Sequence, residues 1–153
     1  MDNLNIHNSK PIHQIIKLIM TPQEFFRNDS FAKNAGVVLL EVREGYSKTK
    51  MEITAEHLNA GARTQGGAIF TLADLALAAA ANSHGTLAFS LSSNITFLRA
   101  SGPGDILYAE ARERYIGRST GCYQVDVTNQ HGELIATFES SVFRKDQKVP
   151  FEV

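Results

Sequence analysis

Asp74 is the only formally charged side chain between Thr64 and Leu98. Its neighbours three and four positions away on a helix are Phe70, Thr71, Leu77 and Ala78, and of these only Thr71 can hydrogen-bond to it. A carboxylate set among apolar residues is costly unless it is paired or used. Two explanations fit it: a general base or nucleophile with a raised pKa, or a residue facing a water-filled gap at a subunit edge. The chemical explanation is the stronger, because no broad polar face surrounds it.

Gly66-Gly67 lies eight positions upstream. Two glycines at the start of a helix let another group approach the backbone closely. The first N–H groups of a helix lack internal partners and carry partial positive charge, which suits an oxyanion or a polarised carbonyl. Glycine pairs also make ordinary tight turns, so the pair alone is weak. Eight residues of helix span about 12 Å, too far for Gly66 and Asp74 of one helix to grip the same carbonyl. A shared site therefore requires a second copy, with Asp74 of one subunit facing Gly66 of the other: a homodimer with two sites.

Other polar candidates surround this segment. Asn59 is suited to holding a water or a substrate carbonyl, and equally to forming a turn near Gly61. Ser90 is suited to orienting Asp74 or a water, and equally to being a satisfied strand hydroxyl. His57 and His84 have no second ligand at metal spacing, so no metal site is expected. Cys122 shows no nucleophile pattern and is expected to pack within a strand. Arg99, Arg112, Arg114, Arg118, Arg144 and Lys145 are scattered over strands and turns. Spacing does not choose which of them would meet a phosphate.

These residues must be placed by a fold. Residues 65–82 are rich in Ala and Leu and predict one long helix, apolar all round and so buried on every side. Strand patterns occupy 36–44, a second segment through Thr49, Met51 and Ile53, then 87–98, 106–116, 122–128 and 134–143. Glu44-Gly45, Ser101-Gly102-Pro103-Gly104 and Asn129–Gly132 read as turns, and the short connections predict antiparallel neighbours. The class is α+β: about six antiparallel strands wrapped around one central helix. Pro11 opens a short helix through Ile15, Ile16 and Ile19, and Thr21-Pro22-Gln23-Glu24 caps another through Phe25 and Phe26. The expected division is an N-terminal extension (1–35), a main domain (36–145) and a tail (146–153).

The 153 residues suffice for one domain with its own core. A net charge of −1, from 15 basic and 16 acidic residues, offers no bulk attraction for nucleic acid or an anionic membrane. A single cysteine excludes an internal disulfide. The start of the sequence does not read as a signal peptide, and a cytoplasmic setting is expected.

Taken together, Leu58-Asn59, Gln65-Gly66-Gly67, Thr71-Leu72-Ala73-Asp74, Ser90 with Asn94-Ile95-Thr96-Phe97-Leu98-Arg99, and Gly102 with Gly104-Asp105 resemble the hotdog-fold acyl-CoA thioesterases of the PaaI-like, phenylacetate-pathway group. The resemblance spans roughly residues 36–145. It implies hydrolysis of an aryl-acyl or medium-chain acyl-CoA, with coenzyme A as part of the substrate and no cofactor. It implies homodimers, often paired into homotetramers. It puts the catalytic acid on Asp74, as base or nucleophile, the oxyanion N–H on Gly66, supporting roles on Asn59 and Ser90, and Gly67 beside the substrate. Arg99 and the turn holding Arg118 and Ser119 are the matches for the CoA phosphates. Gln65 stands where the family commonly has His; it exchanges hydrogen bonds but carries no proton near neutral pH. A non-catalytic acyl-CoA-binding protein and a hotdog dehydratase or hydratase are the alternatives.

Overall fold

The computed structural model describes residues 20–153. The expected helix through Ile15, Ile16 and Ile19 lies outside the described residues. The elements run α1 (Pro22–Phe26), α2 (Ser30–Asn34), β1 (Val38–Arg43), β2 (Tyr46–Glu52), a 3-10 turn (Ala55–His57), α3 (Gly66–Asn82), β3 (Thr86–Phe97), β4 (Ile106–Ile116), β5 (Thr120–Thr128) and β6 (Leu134–Lys148). The α1 helix starts as expected: Thr21 and Glu24 exchange capping hydrogen bonds, and Pro22 occupies the first turn, where its missing N–H costs nothing. The α2 helix is an additional element, capped by Asp29, whose Oδ1 accepts from Ala32 N at 2.9 Å.

One six-stranded antiparallel sheet has the order β1-β2-β4-β5-β6-β3 and curves around α3. Alternation sets its dry face. Met51, Leu107, Ala109, Val125, Val127 and Phe138 are fully buried against Leu72, Ala73, Ala76 and Ala80 of the helix. Two buried β2 hydroxyls also meet the helix backbone: Ser47 Oγ donates to the Ala76 carbonyl, and Thr49 Oγ1 to that of Leu72 at 3.0 Å. At the far end, buried Asn82 bonds the Ala78 and Ala88 carbonyls and accepts from Ala88 N, turning the chain from α3 into β3.

Four expectations change. First, α3 is not buried all round. Gly67 is exposed, and Thr71, Asp74 and Ala78 are only half-buried. These positions form the stripe facing away from the sheet, which the described residues leave uncovered. Second, β3 and β4 follow each other closely in sequence but are not neighbours, since β3 pairs with β6 and β4 with β2 and β5. Residues 98–105 arch across the sheet end instead. Leu98 N and Arg99 N donate to the Ile135 carbonyl, Thr64 N to Ser101 O, and Gly104 N to Ile53 O. Third, Cys122 lies in β5 but on its exposed outer face, because the odd-numbered Tyr123, Val125 and Val127 take the inner one. Fourth, β6 runs on to Lys148, since its polar end pairs with the start of β3 (Thr86 opposite Lys148).

The first described helix meets the C-terminal segment. Phe151 packs against Phe25 and Phe26 at ring separations of 5.2 and 5.9 Å, which seats α1 against the C-terminal segment. Among the described residues no helix is long and apolar enough to cross a membrane.

Candidate active site

The α3 helix begins at Gly66 with Gln65 as its N-cap. Gln65 Oε1 accepts from Ala68 N at 3.2 Å, so its side chain caps the first turn. A Cβ on Gly67 would stand 2.6 Å from that same oxygen, so a larger residue there would displace the capping side chain. A Cβ on Gly66 would stand 2.8 Å from Phe97 Cζ: the tip of the β3 ring occupies the place a side chain would take. Neither Gly66 N–H nor Gly67 N–H has a hydrogen-bond partner among the described residues. Two adjacent donors at the positive end of a 17-residue helix are thus left open.

Asn59, Gly66, Phe97 and Arg99 line one cleft, walled by the arch that follows β3. Three residues singled out in the sequence therefore come together within one chain. Asn59 Oδ1 accepts from Gly61 N (2.9 Å) and Arg63 N (3.2 Å), so its oxygen shapes the turn. Its amide nitrogen makes no hydrogen bond among the described residues and remains available as a donor.

Asp74 lies on the open stripe of α3, outside that cleft. Thr71, its one potential helix partner, instead donates its hydroxyl to the Gly67 carbonyl at 2.8 Å. No hydrogen bond or ion pair reaches the Asp74 carboxylate among the described residues. Burial first, and the Asp29 carboxylate second, push its pKa above the ordinary aspartate value. Asp29 carries no mark of this role in the sequence; its signal there is that of a helix cap before Ser30.

Ser90 is exposed on β3, an edge strand, and makes no hydrogen bond with Asp74 among the described residues. Arg118 and Ser119 occupy the β4–β5 turn, at the sheet end opposite Arg99. Thr120 pairs with Phe143, which pairs with Phe89, whereas Arg99 bonds Ile135. Arg144 holds the turn: its Nη1 donates to the Gly117 carbonyl at 2.7 Å and its N–H to that of Ser119 at 2.9 Å. Phe97 and Arg144 were not among the expected site residues. Phe97 lay within the quoted Asn94–Arg99 stretch, but only the crossing of β3 over the helix start reveals its contact. The two histidines weighed in the sequence are both engaged, His57 with Thr54 and Ala35 and His84 with Glu113.

Comparison with known proteins agrees with this architecture. Residues 64–136, from the helix start into β6, match the Thioesterase superfamily. The acyl-coenzyme A thioesterase PaaI of Escherichia coli is 37% identical over 119 residues, covering 78% of this chain and 85% of that protein. Its solved structure superposes with a TM-score of 0.79 at 35% identity, over 82% of this chain and 91% of that one. A Streptococcus mutans protein solved bound to acetyl CoA superposes with a TM-score of 0.70 at 29% identity, over 72% and 90%. The chain thus belongs to the thioesterase superfamily, as a hotdog-fold enzyme of the PaaI-like acyl-CoA thioesterase family.

Proposed function

We propose that the protein hydrolyses the thioester of an apolar acyl-CoA, aryl-acyl such as phenylacetyl or medium-chain, in a site shared between two subunits. The observation that carries this reading is the pair of unpartnered N–H groups at Gly66 and Gly67 beside a cleft holding Asn59 and Arg99. The thioester carbonyl accepts from Gly66 N–H, with the Asn59 amide as a second donor. Both bonds strengthen as the carbonyl oxygen gains negative charge, so they favour the transition state over the ground state.

Asp74 of the partner subunit completes the site. The edge strand β3 exposes Phe89 (51%), Leu91 (62%) and Phe97 (50%), the kind of edge that another strand covers. Antiparallel pairing of two β3 edges about a two-fold axis reverses the ends. It sets the Gly66 end of one subunit beside the partner's open helix stripe. It also sets Arg99 of one subunit near Arg118 and Ser119 of the other, a cationic seat for the CoA phosphates drawn from both chains. Ser90 then faces the seam, within reach of the water or the acid. Two such dimers would make the homotetramer.

Two routes remain chemically balanced. As base, Asp74 takes a proton from water, the hydroxide adds to the carbonyl carbon, and the C–S bond breaks to give the acid and CoA thiolate, which is then protonated. As nucleophile, the carboxylate displaces the thiolate to form an anhydride, which water opens. Asp74→Asn should lower kcat by about 10²–10⁴-fold with the fold intact. A variant retaining near wild-type turnover refutes the assignment. Single turnover in labelled water distinguishes the routes: label enters the product acid at once in the first and enters the carboxylate in the second.

A further inference from the structure

Gly66 and Gly67 are adjacent, yet they open into different spaces. Gly66 borders the cleft of Asn59 and Arg99. Gly67 borders a groove of about 690 Å³ on the other side of the helix start, whose walls include Phe31, Ala35, Leu58, Phe70 and Thr71. A thioester carbonyl is the one point where the acyl and CoA halves of the substrate join. With the carbonyl held at the Gly66 N–H, beside which both spaces open, the halves leave in opposite directions. The side with a guanidinium suits phosphates; the side with two phenyl rings suits a hydrocarbon.

We propose that Phe31, on α2, is a specificity-determining residue that forms the outer wall of the acyl groove and sets how large an acyl group the enzyme accepts. The inference rests on the thioesterase reading above. Phe31 is 76% exposed, so it stabilises the single chain little, and its position on the groove gives the ring a use.

The wall is fixed relative to the reacting centre. Asp29 caps the start of α2 through Ala32 N. At its other end, His57 Nδ1 accepts from Thr54 N at 3.0 Å, which leaves Nε2 to donate to the Ala35 carbonyl at 2.9 Å. The same histidine's carbonyl accepts from Gln65 N at 2.7 Å. One residue thereby clasps the α2 wall to the N-cap of α3, so groove width and carbonyl position are set together. The α2 segment thus serves as a specificity element.

The test is kcat/KM over straight-chain acyl-CoAs from acetyl to octanoyl, with phenylacetyl-CoA, for wild type, Phe31→Ala, Phe31→Leu and Arg99→Ala. In Phe31→Ala the ratio of octanoyl or phenylacetyl to acetyl efficiency should fall about tenfold, the scale of losing one ring's worth of buried contact. Phe31→Leu should keep part of it. Arg99→Ala should lower every substrate by one common factor. Calorimetric titration with the thioether analogue of octanoyl-CoA and with CoA alone gives the same ratio without turnover. If Phe31→Ala leaves both ratios at wild-type values, or scales all substrates alike, the proposal is overturned. If the wild type hydrolyses none of the panel, the thioesterase reading fails, and the binding ratio still decides whether Phe31 contacts the acyl group.

Discussion

Replacing Gly66 by Ala probes the contact between the helix start and the edge strand. The new Cβ would lie 2.8 Å from Phe97 Cζ, 3.2 Å from Cε2 and 3.5 Å from Cε1. The ring must move. Overpacking of this kind costs about 1–3 kcal/mol. The contacting atoms are the far end of the Phe97 side chain, which can yield by rotation, and that favours the lower part of that range. Alanine's better helix propensity returns at most about 1 kcal/mol. The net expectation is a loss of about 1 kcal/mol, or about 2–4 °C in Tm for a chain of this size. Phe97→Ala removes the collision, so the double variant should be more stable than the sum of the single effects by about 1–2 kcal/mol. Urea unfolding of the four proteins measures this coupling. In Gly66→Ala alone the displaced ring also enters the cleft of Asn59 and Arg99, so KM should rise, and Phe97→Ala should bring it partly back. Stability effects that add to within about 0.5 kcal/mol would refute the claim that this ring is what requires glycine at position 66.

Asp74 must be ionised to act as base or nucleophile, so the acid limb of kcat/KM should fall at a higher pH than an ordinary aspartate gives. Asp29→Asn keeps a capping side chain but removes the second carboxylate, so it should move that limb to lower pH in a pH–rate profile. The same raised pKa has a stability consequence. The folded state favours protonated Asp74, so ionising it destabilises the fold as pH rises through its folded pKa. Asp74→Asn should therefore raise Tm near pH 8, with the gain fading on acidification; a gain that grows at low pH would contradict this sign. Gln65→Ala removes the cap on Ala68 N and should cost about 1 kcal/mol in chemical unfolding. Leu91→Lys puts a charge on the exposed β3 edge, and light scattering should show dissociation together with lost activity.

Much of the fold was legible in the residues. The strand patterns of β2, β4 and β5 rest on alternation, that of β1 on an apolar run, both local properties, and α3 rests on a run of Ala and Leu. The Thr21–Glu24 capping box is likewise local. The order of the strands was not legible. Whether Ser101–Gly104 makes a hairpin or an arch depends on which partner each edge meets, and β3 found β6 through contacts between distant parts of the chain. Cys122 shows the same limit: being in a strand is a matter of pattern, but facing outward depends on which side the helix lies.

The candidate site divides in the same way. A charge isolated among apolar residues and a diglycine before a helix are visible to anyone counting residue types, because desolvation cost and backbone freedom belong to single positions. That the two glycines look into different spaces, with Arg99 on one side and Phe31 on the other, belongs to no position. It follows from β3 crossing the helix start and from α2 being clasped by His57, contacts between residues far apart in the chain. Sequence by itself named the reactive groups; three-dimensional packing decided what each of them faces, because facing is a relation between distant segments, and only the closed fold sets it.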